Sequence, residues 1–145
     1  MTADELPTGL LLFLPYRALE NRVLAALAEA GFDDVTPAQA RLFQRIGPDG
    51  TRLTALAEQA QVTKQTAGAI VDHLERAGYV RRVPDPSDAR ARLVRIAERG
   101  LDALPVAAAV VEQVEAEWLA HLGKRRMEQL RGALSALREI TDPYA

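Results

Sequence analysis

The chain has 145 residues, enough for one domain that buries roughly two-thirds of its unfolded surface, and its lack of cysteine excludes disulfides, thiolate metal sites and thiol redox sensing. The net charge is −2, yet residues 51–100 carry nine basic and six acidic side chains, a local +3 against −5 elsewhere, as suits a DNA-binding face on an acidic body. Asp4 and Glu5 sit where a secretory signal would be basic, and the early apolar run over 10–14 stops at Pro15, so a soluble, cytoplasmic protein with no membrane partner is expected.

Leu10, Leu11, Leu14, Ala18, Val23, Leu24 and Leu27 fall on one helical stripe, with Arg17, Glu20 and Arg22 between them and Gly31 placed to end the helix. Pro15 lacks a backbone donor and clashes with the carbonyl four residues back, which predicts a kink there or else a later helix start, the kink being preferred. Thr36-Pro37-Ala38-Gln39 reads as a capping box with proline in the first turn, opening a second helix that runs to about Ile46. Gly47-Pro48-Asp49-Gly50 breaks it. Residues 51–53 are then a short extended piece, and Thr54 is expected to cap a third helix over 55–60.

Gln61-Val62 makes a turn and Thr63 caps a fourth helix. Ala67, Ile70, Val71 and Leu74 form its apolar face; Lys64, Gln65, Gly68, Ala69, Asp72, His73 and Arg76 form the other, and Ala77-Gly78 ends it. Two short helices about a tight turn make a helix-turn-helix. Residues 79–83 and 93–96 have strand composition about the turn residues Asp85-Pro86-Ser87-Asp88, giving a hairpin with a long tip, a wing.

Leu101, Leu104, Ala108, Val111, Trp118 and Leu122 follow helical steps in a fifth helix over 98–122, roughly 37 Å long at about 1.5 Å per residue, with Glu115 alone off the pattern. Met127, Leu130, Leu134, Leu137 and Ile140 mark a sixth. With the first helix these supply more apolar surface than the small head can cover. A monomeric bundle is one solution; a two-fold homodimer built from the first and last two helices is the preferred one. The fold class is mainly α with a small β-wing: a winged helix-turn-helix with N- and C-terminal dimerisation helices.

A helix N-terminus offers free N–H groups and partial positive charge, and Thr63, Lys64 and Thr66 add phosphate-reaching side chains around it. Gln65 is placed to read a base edge in the major groove of double-stranded DNA, Gly68 and Ala69 to let the backbone approach, and Arg76 lies on the same polar face. In the wing, Asp88 and Arg90 share a side, so the carboxylate is expected to orient the guanidinium for a minor groove, with Arg92 a neighbouring contact. An ordinary surface helix and a solvated hairpin tip are the plainer readings of each piece alone; their succession favours DNA over a winged helix used for protein contacts. No glycine-rich phosphate loop, cysteine nucleophile or histidine with acid–base partners supports an enzyme. His73 and His121 lack companion ligands, so no metal or other cofactor is expected.

The run 63–68 (Thr-Lys-Gln-Thr-Ala-Gly), then 74–82 (Leu-Glu-Arg-Ala-Gly-Tyr-Val-Arg-Arg) and 85–93 (Asp-Pro-Ser-Asp-Ala-Arg-Ala-Arg-Leu), resembles the winged-helix core of the MarR (multiple antibiotic resistance regulator) family. The resemblance implies one MarR-like domain over 1–145, with a DNA-binding lobe at 36–100 and a dimerisation lobe from 6–30 and 101–142. It further implies a homodimeric bacterial transcription regulator, a repressor in the usual case, that binds a pseudo-palindromic operator and is released by a small aromatic or lipophilic effector. Family pockets lie between the two lobes, where Phe13, Tyr16, Arg17, Phe43 and Trp118 are the candidates, with simple core packing the plainer reading of each. Three positions depart from the family pattern: Ala89 stands for a second wing arginine, Ala97 for a capping threonine, and Gly68-Ala69 for bulkier base-contacting residues.

Overall fold

The computed structural model describes residues 2–145. A single 3-10 turn, Ala3–Glu5, precedes α1 (Thr8–Glu29), α2 (Pro37–Phe43), β1 (Thr51–Arg52), α3 (Leu53–Ala60), α4 (Lys64–Arg76), β2 (Val80–Asp85), β3 (Asp88–Ile96), α5 (Glu98–Leu122) and α6 (Lys124–Thr141). α1 starts seven residues before Pro15 and runs on through it, so the proline is interior rather than the helix start. Its end is closed at Gly31, φ +96°, where the Phe32 amide donates to the Leu27 carbonyl at 2.8 Å.

α2 opens with both halves of the capping box: Thr36 Oγ1 accepts from the Gln39 amide, and Gln39 Oε1 accepts from the Thr36 amide. It stops at Phe43, short of Ile46, although Ile46 still reaches the core. The third helix begins one residue before its expected cap. Its N-cap is Arg52 rather than Thr54, because pairing of Arg52 with Leu93 holds the chain extended up to that residue and no further.

The sheet has the order β1-β3-β2, antiparallel throughout. β2 and β3 extend further toward each other than composition suggests, so the long tip expected of the wing shrinks to Pro86-Ser87 between paired Asp85 and Asp88. The core under the sheet joins Leu42, Leu56, Val71, Leu74, Val80 and Val94. All four residues of the predicted apolar face of α4 are buried.

α1 packs along α5, antiparallel, with Leu27 and Ala103 in the shared core and Arg22, further back along α1, paired to Glu117. Gly100, buried in the first turn of α5, is what lets this helix leave the sheet: a Cβ there would lie 2.4 Å from the Tyr79 carbonyl oxygen. Beside it Arg99 ties the α1–α2 connection to the end of α4 and the start of β2. Its guanidinium donates to Asp34 Oδ2 at 2.7 Å and to the Ala77 carbonyl at 3.0 Å, and stands 4.5 Å from the centre of the Tyr79 ring. The Tyr79 hydroxyl donates to the other Asp34 oxygen at 2.5 Å. Burial, aided by that carboxylate, pushes the Tyr79 phenol above its ordinary range, while Arg99 first and Tyr79 second hold Asp34 below its own.

Gly123 turns the chain from α5 into α6, which contributes no buried residue within the single chain. Leu11, Leu12 and Phe13 of α1, Leu101 and Leu119 of α5, and Leu130, Leu134, Leu137 and Ile140 of α6 are exposed. Among the described residues, no exposed large hydrophobic side chain falls within 36–100. No helix of the described residues is long and apolar enough to cross a membrane.

Candidate nucleic-acid interface

α3 and α4 meet through a turn in which Gln61 takes the left-handed conformation, φ +57°. The turn is closed by the Val62 amide donating to Ala57 O at 3.0 Å and by the Gln61 side chain donating to Glu58 O at 2.6 Å. Thr63 then caps α4, its Oγ1 accepting from the Thr66 amide at 3.1 Å. The first turn of α4 therefore stands clear of the body with Lys64, Gln65 and Thr66 exposed and its remaining amides free to face an anion.

Gln65, Thr66 and Ala69 border one shallow cleft, whose far wall is Gln39 of α2. Gln39 is a neighbour that sequence reasoning did not include, since only the packing of α2 on α4 brings it there. Gly68 is half-buried, and a Cβ there would lie 3.8 Å from Leu53 Cδ2 of α3. That is an ordinary contact distance, so the helix packing does not itself demand a glycine here. Arg76 is exposed in the last turn, about 18 Å along the axis from Lys64 at roughly 1.5 Å per residue. The structure brings together residues 63–69; Arg76 stands apart at the opposite end.

At the wing, Asp88, Arg90 and Arg92 are exposed along β3, where the register with β2 shifts between Pro84 and Asp85, before Val94 enters the core. Asp88 does not hold the Arg90 guanidinium. Its Oδ1 accepts from the Arg90 backbone amide at 3.0 Å, which shapes the chain and leaves the side chain free. The arginine that the wing carboxylates do hold is Arg52 of β1: Nε donates to Asp85 Oδ2 at 2.9 Å, and the Asp88 carboxylate lies 3.9 Å from its other nitrogen. Asp85 is buried and accepts from the Ser87 hydroxyl and amide at 2.7 and 2.8 Å. Those two bonds first, and Arg52 next, hold its carboxyl near a pKa of about 2. The wing tip is thereby a fixed turn presenting loose arginines.

Arg82 is bound by Asp72 and Glu75 of α4, and Arg99 by Asp34, so both are structural. Among the described residues Lys64, Arg76, Arg81, Arg90, Arg92 and Arg95 have no ion-pair partner. Arg81 and Arg95 even face each other across the β2–β3 pairing, a like-charge contact that is unfavourable until an anion approaches. Sequence reasoning counted these arginines only in the net charge.

A second feature lies between α1, α2 and α5: a cavity of about 320 Å³ lined by aliphatic and aromatic side chains, with Leu24, Phe32, Leu74 and Tyr79 among them. Of the residues expected to line a pocket, Tyr16 and Phe43 do so. Phe13 instead lies under the Arg17 guanidinium, 5.7 Å away, on the exposed side of α1, and Trp118 sits two turns beyond Val111, the last α5 residue of the lining. Glu20 and Arg41, a pair invisible to helical periodicity alone, stand in the wall. Among the described residues no three histidine or carboxylate side chains gather to hold a metal ion.

Residues 33–91 match the model of the MarR family. The transcriptional repressor Rv2887 of Mycobacterium tuberculosis is 30% identical over 135 residues, covering 93% of this chain and 96% of that protein. Its crystal structure in complex with salicylic acid is similar to this one with a TM-score of 0.64, over 94% of this chain and 99% of that one. The transcriptional regulator HosA of Escherichia coli is 32% identical over 96 residues, 66% of this chain and 71% of that protein. The crystal structure of MarR shares the fold at 24% identity and a TM-score of 0.73, covering 92% and 96% of the two chains.

Proposed function

The chain belongs to the MarR family and is a transcriptional regulator, and from that premise we propose that it binds a pseudo-palindromic operator in double-stranded DNA as a homodimer. In this reading α4 enters the major groove and the β2–β3 wing lies on the adjacent minor groove. The observation that carries it is the company of a capped, exposed helix N-terminus and a wing whose arginines are left unpaired. Thr63, Lys64 and Thr66 take phosphates, Gln65 and the small Ala69 face base edges, and Arg90 and Arg92 reach the backbone or the minor groove. Gly68 beside Ala69 lets the helix backbone approach the groove, and Arg76 meets a flanking phosphate at the far end of the helix.

Residues 36–100 form the reading lobe, and 6–30 with 101–142 the dimerisation lobe. Support for the second comes from the placement of the exposed apolar side chains, all on α1, α5, α6 and the C-terminal tail. A partner copy is the natural cover for such a surface. The regulator acts in the cytoplasm, represses rather than activates, as the Rv2887 relative is named to do, and carries no catalytic activity. A small lipophilic effector seated in the cavity between the lobes releases the DNA. That cavity touches Tyr79, and Tyr79 is bonded to Asp34 and stacked under Arg99, so a ligand that moves the ring moves the tie between the α1–α2 connection and the end of α4.

The test is Arg90→Ala measured beside wild type by light scattering and by fluorescence anisotropy on a selected duplex. The variant is expected to remain a dimer and to bind at least about tenfold more weakly, with a shallower salt dependence. Unchanged affinity at physiological salt would remove the wing from the interface.

A further inference from the structure

The wall of the 320 Å³ cavity carries two charged side chains among the described residues, Glu20 from α1 and Arg41 from α2, and they neutralise each other. Arg41 Nε and Nη2 each donate to one Glu20 oxygen at 2.8 Å, a fork-to-fork pair. The two ends of this pair are not equally placed. The Glu20 side chain is 9% exposed and the Arg41 side chain 46%, so the carboxylate is the charge that the cavity contains and the guanidinium is the lid over it. Arg41 is further seated 5.9 Å from the centre of the Tyr16 ring, which also lines the cavity. Arg41, and to a lesser degree the Tyr16 hydroxyl, hold the Glu20 carboxyl below its ordinary pKa, so it stays ionised at neutral pH.

We propose that the cavity selects an uncharged, lipophilic ring compound and rejects carboxylic acids, because Glu20 already occupies the only guanidinium that the described residues of the chain place in its wall. This rests on the effector-pocket reading above and specifies its ligand class. An acid could bind only beside the Glu20 carboxylate, within an apolar lining that screens the repulsion poorly, or by taking Arg41 and leaving Glu20 buried without its partner. A lipophilic cation faces the converse obstacle, since it would replace a two-bonded, ring-stacked guanidinium by a single ammonium. A neutral molecule breaks neither bond. The volume is at the small end for ligand sites, which start near about 300 Å³, and suits a molecule of one or two fused rings.

The experiment holds the ring constant and varies the charge. 2-Naphthol, 2-naphthoate and 2-naphthylmethylamine are titrated calorimetrically into the full-length protein at neutral pH. Wild type should bind 2-naphthol at least about tenfold tighter than 2-naphthoate, the ratio expected when one charge-assisted contact is denied. Glu20→Gln, which keeps the shape of the side chain and frees Arg41, should raise naphthoate affinity by about tenfold while leaving 2-naphthol within about threefold. Arg41→Gln should instead favour the amine. Equal or tighter binding of naphthoate by wild type, tightest binding of the amine by wild type, or indifference of naphthoate to Glu20→Gln would overturn the ligand class and leave the pocket standing. Ala107→Phe, which fills the cavity from α5, should abolish naphthol binding. Naphthol binding that survives Ala107→Phe, or no binding of any of the three probes, would remove the pocket itself, and the ligand class with it.

Discussion

Replacing Gly100 by alanine separates two opposed expectations of sign. By intrinsic propensity alone, glycine to alanine within a helix is stabilising by up to about 1 kcal/mol, and Gly100 lies inside α5 with no positive φ to favour glycine. The packing says the opposite. The new methyl would lie 2.4 Å from the Tyr79 carbonyl oxygen, 2.8 Å from Ile96 Cγ2 and 3.0 Å from Phe43 Cε2. The nearest atom is backbone, and it cannot retreat freely because it accepts from the Ala97 amide at 2.9 Å. Overpacking of this kind costs about 1 to 3 kcal/mol, and yielding the hydrogen bond adds about 1 kcal/mol. The net expectation for Gly100→Ala is a loss of about 2 kcal/mol, read as a lower urea midpoint at unchanged slope and fixed protein concentration. Operator affinity should fall as well, since α5 would leave the sheet at a different angle. A variant as stable as wild type, or more so, would refute the contact and with it the account of how α5 leaves the sheet.

Thr63→Ala should cost about 1 kcal/mol of stability through loss of the α4 cap, and weaken operator binding beyond that by removing a phosphate contact. A variant that loses stability but binds DNA as wild type would leave Thr63 a cap and nothing more. Asp85, whose folded pKa near 2 is depressed, contributes stabilisation of the wing that is present above its ordinary value near about 3.9 and lost as pH falls through about 2. Carboxyl-carbon NMR should therefore show its midpoint near 2, and Ser87→Ala should raise it; a midpoint unmoved by that substitution would contradict the Ser87 bonds. Truncation before Leu19 removes Leu11, Leu12 and Phe13 from the apolar surface and should weaken dimerisation, so a truncated chain that stays dimeric at low micromolar concentration would place the interface elsewhere.

What could be seen in the sequence was local. Thr36 and Gln39, Thr63 and Thr66, and Gly78 after Ala77 are all contacts within four residues, and each forms the cap its spacing suggests. Helical spacing likewise placed Ala67, Ile70, Val71 and Leu74 in the core, because burial of one stripe dictates it, and it bounded α5 at 98–122, although within the single chain that helix buries Gly100, Ala103 and Val114 rather than the stripe through Leu101 and Leu104. What stayed hidden was long-range. Thr54 has the chemistry of a cap, but β1 pairing with a strand some forty residues on decides where α3 starts. Arg52 meets Asp85 across 33 positions, while Tyr79 and Arg99 meet Asp34 across 45 and 65. The cavity shows the same limit: Tyr16, Phe43 and Trp118 are equally aromatic in the sequence, and only the crossing of α1, α2 and α5 determines that the first two line it.

The claim that the head reads a symmetric site on DNA is tested most directly by selecting bound duplexes from a random pool with the purified full-length protein. The account predicts enrichment of an inverted repeat whose half-site centres lie about one helical turn apart, roughly 10 base pairs, as two copies of α4 require. Enrichment of a single asymmetric half-site, or of no sequence at all, would contradict it.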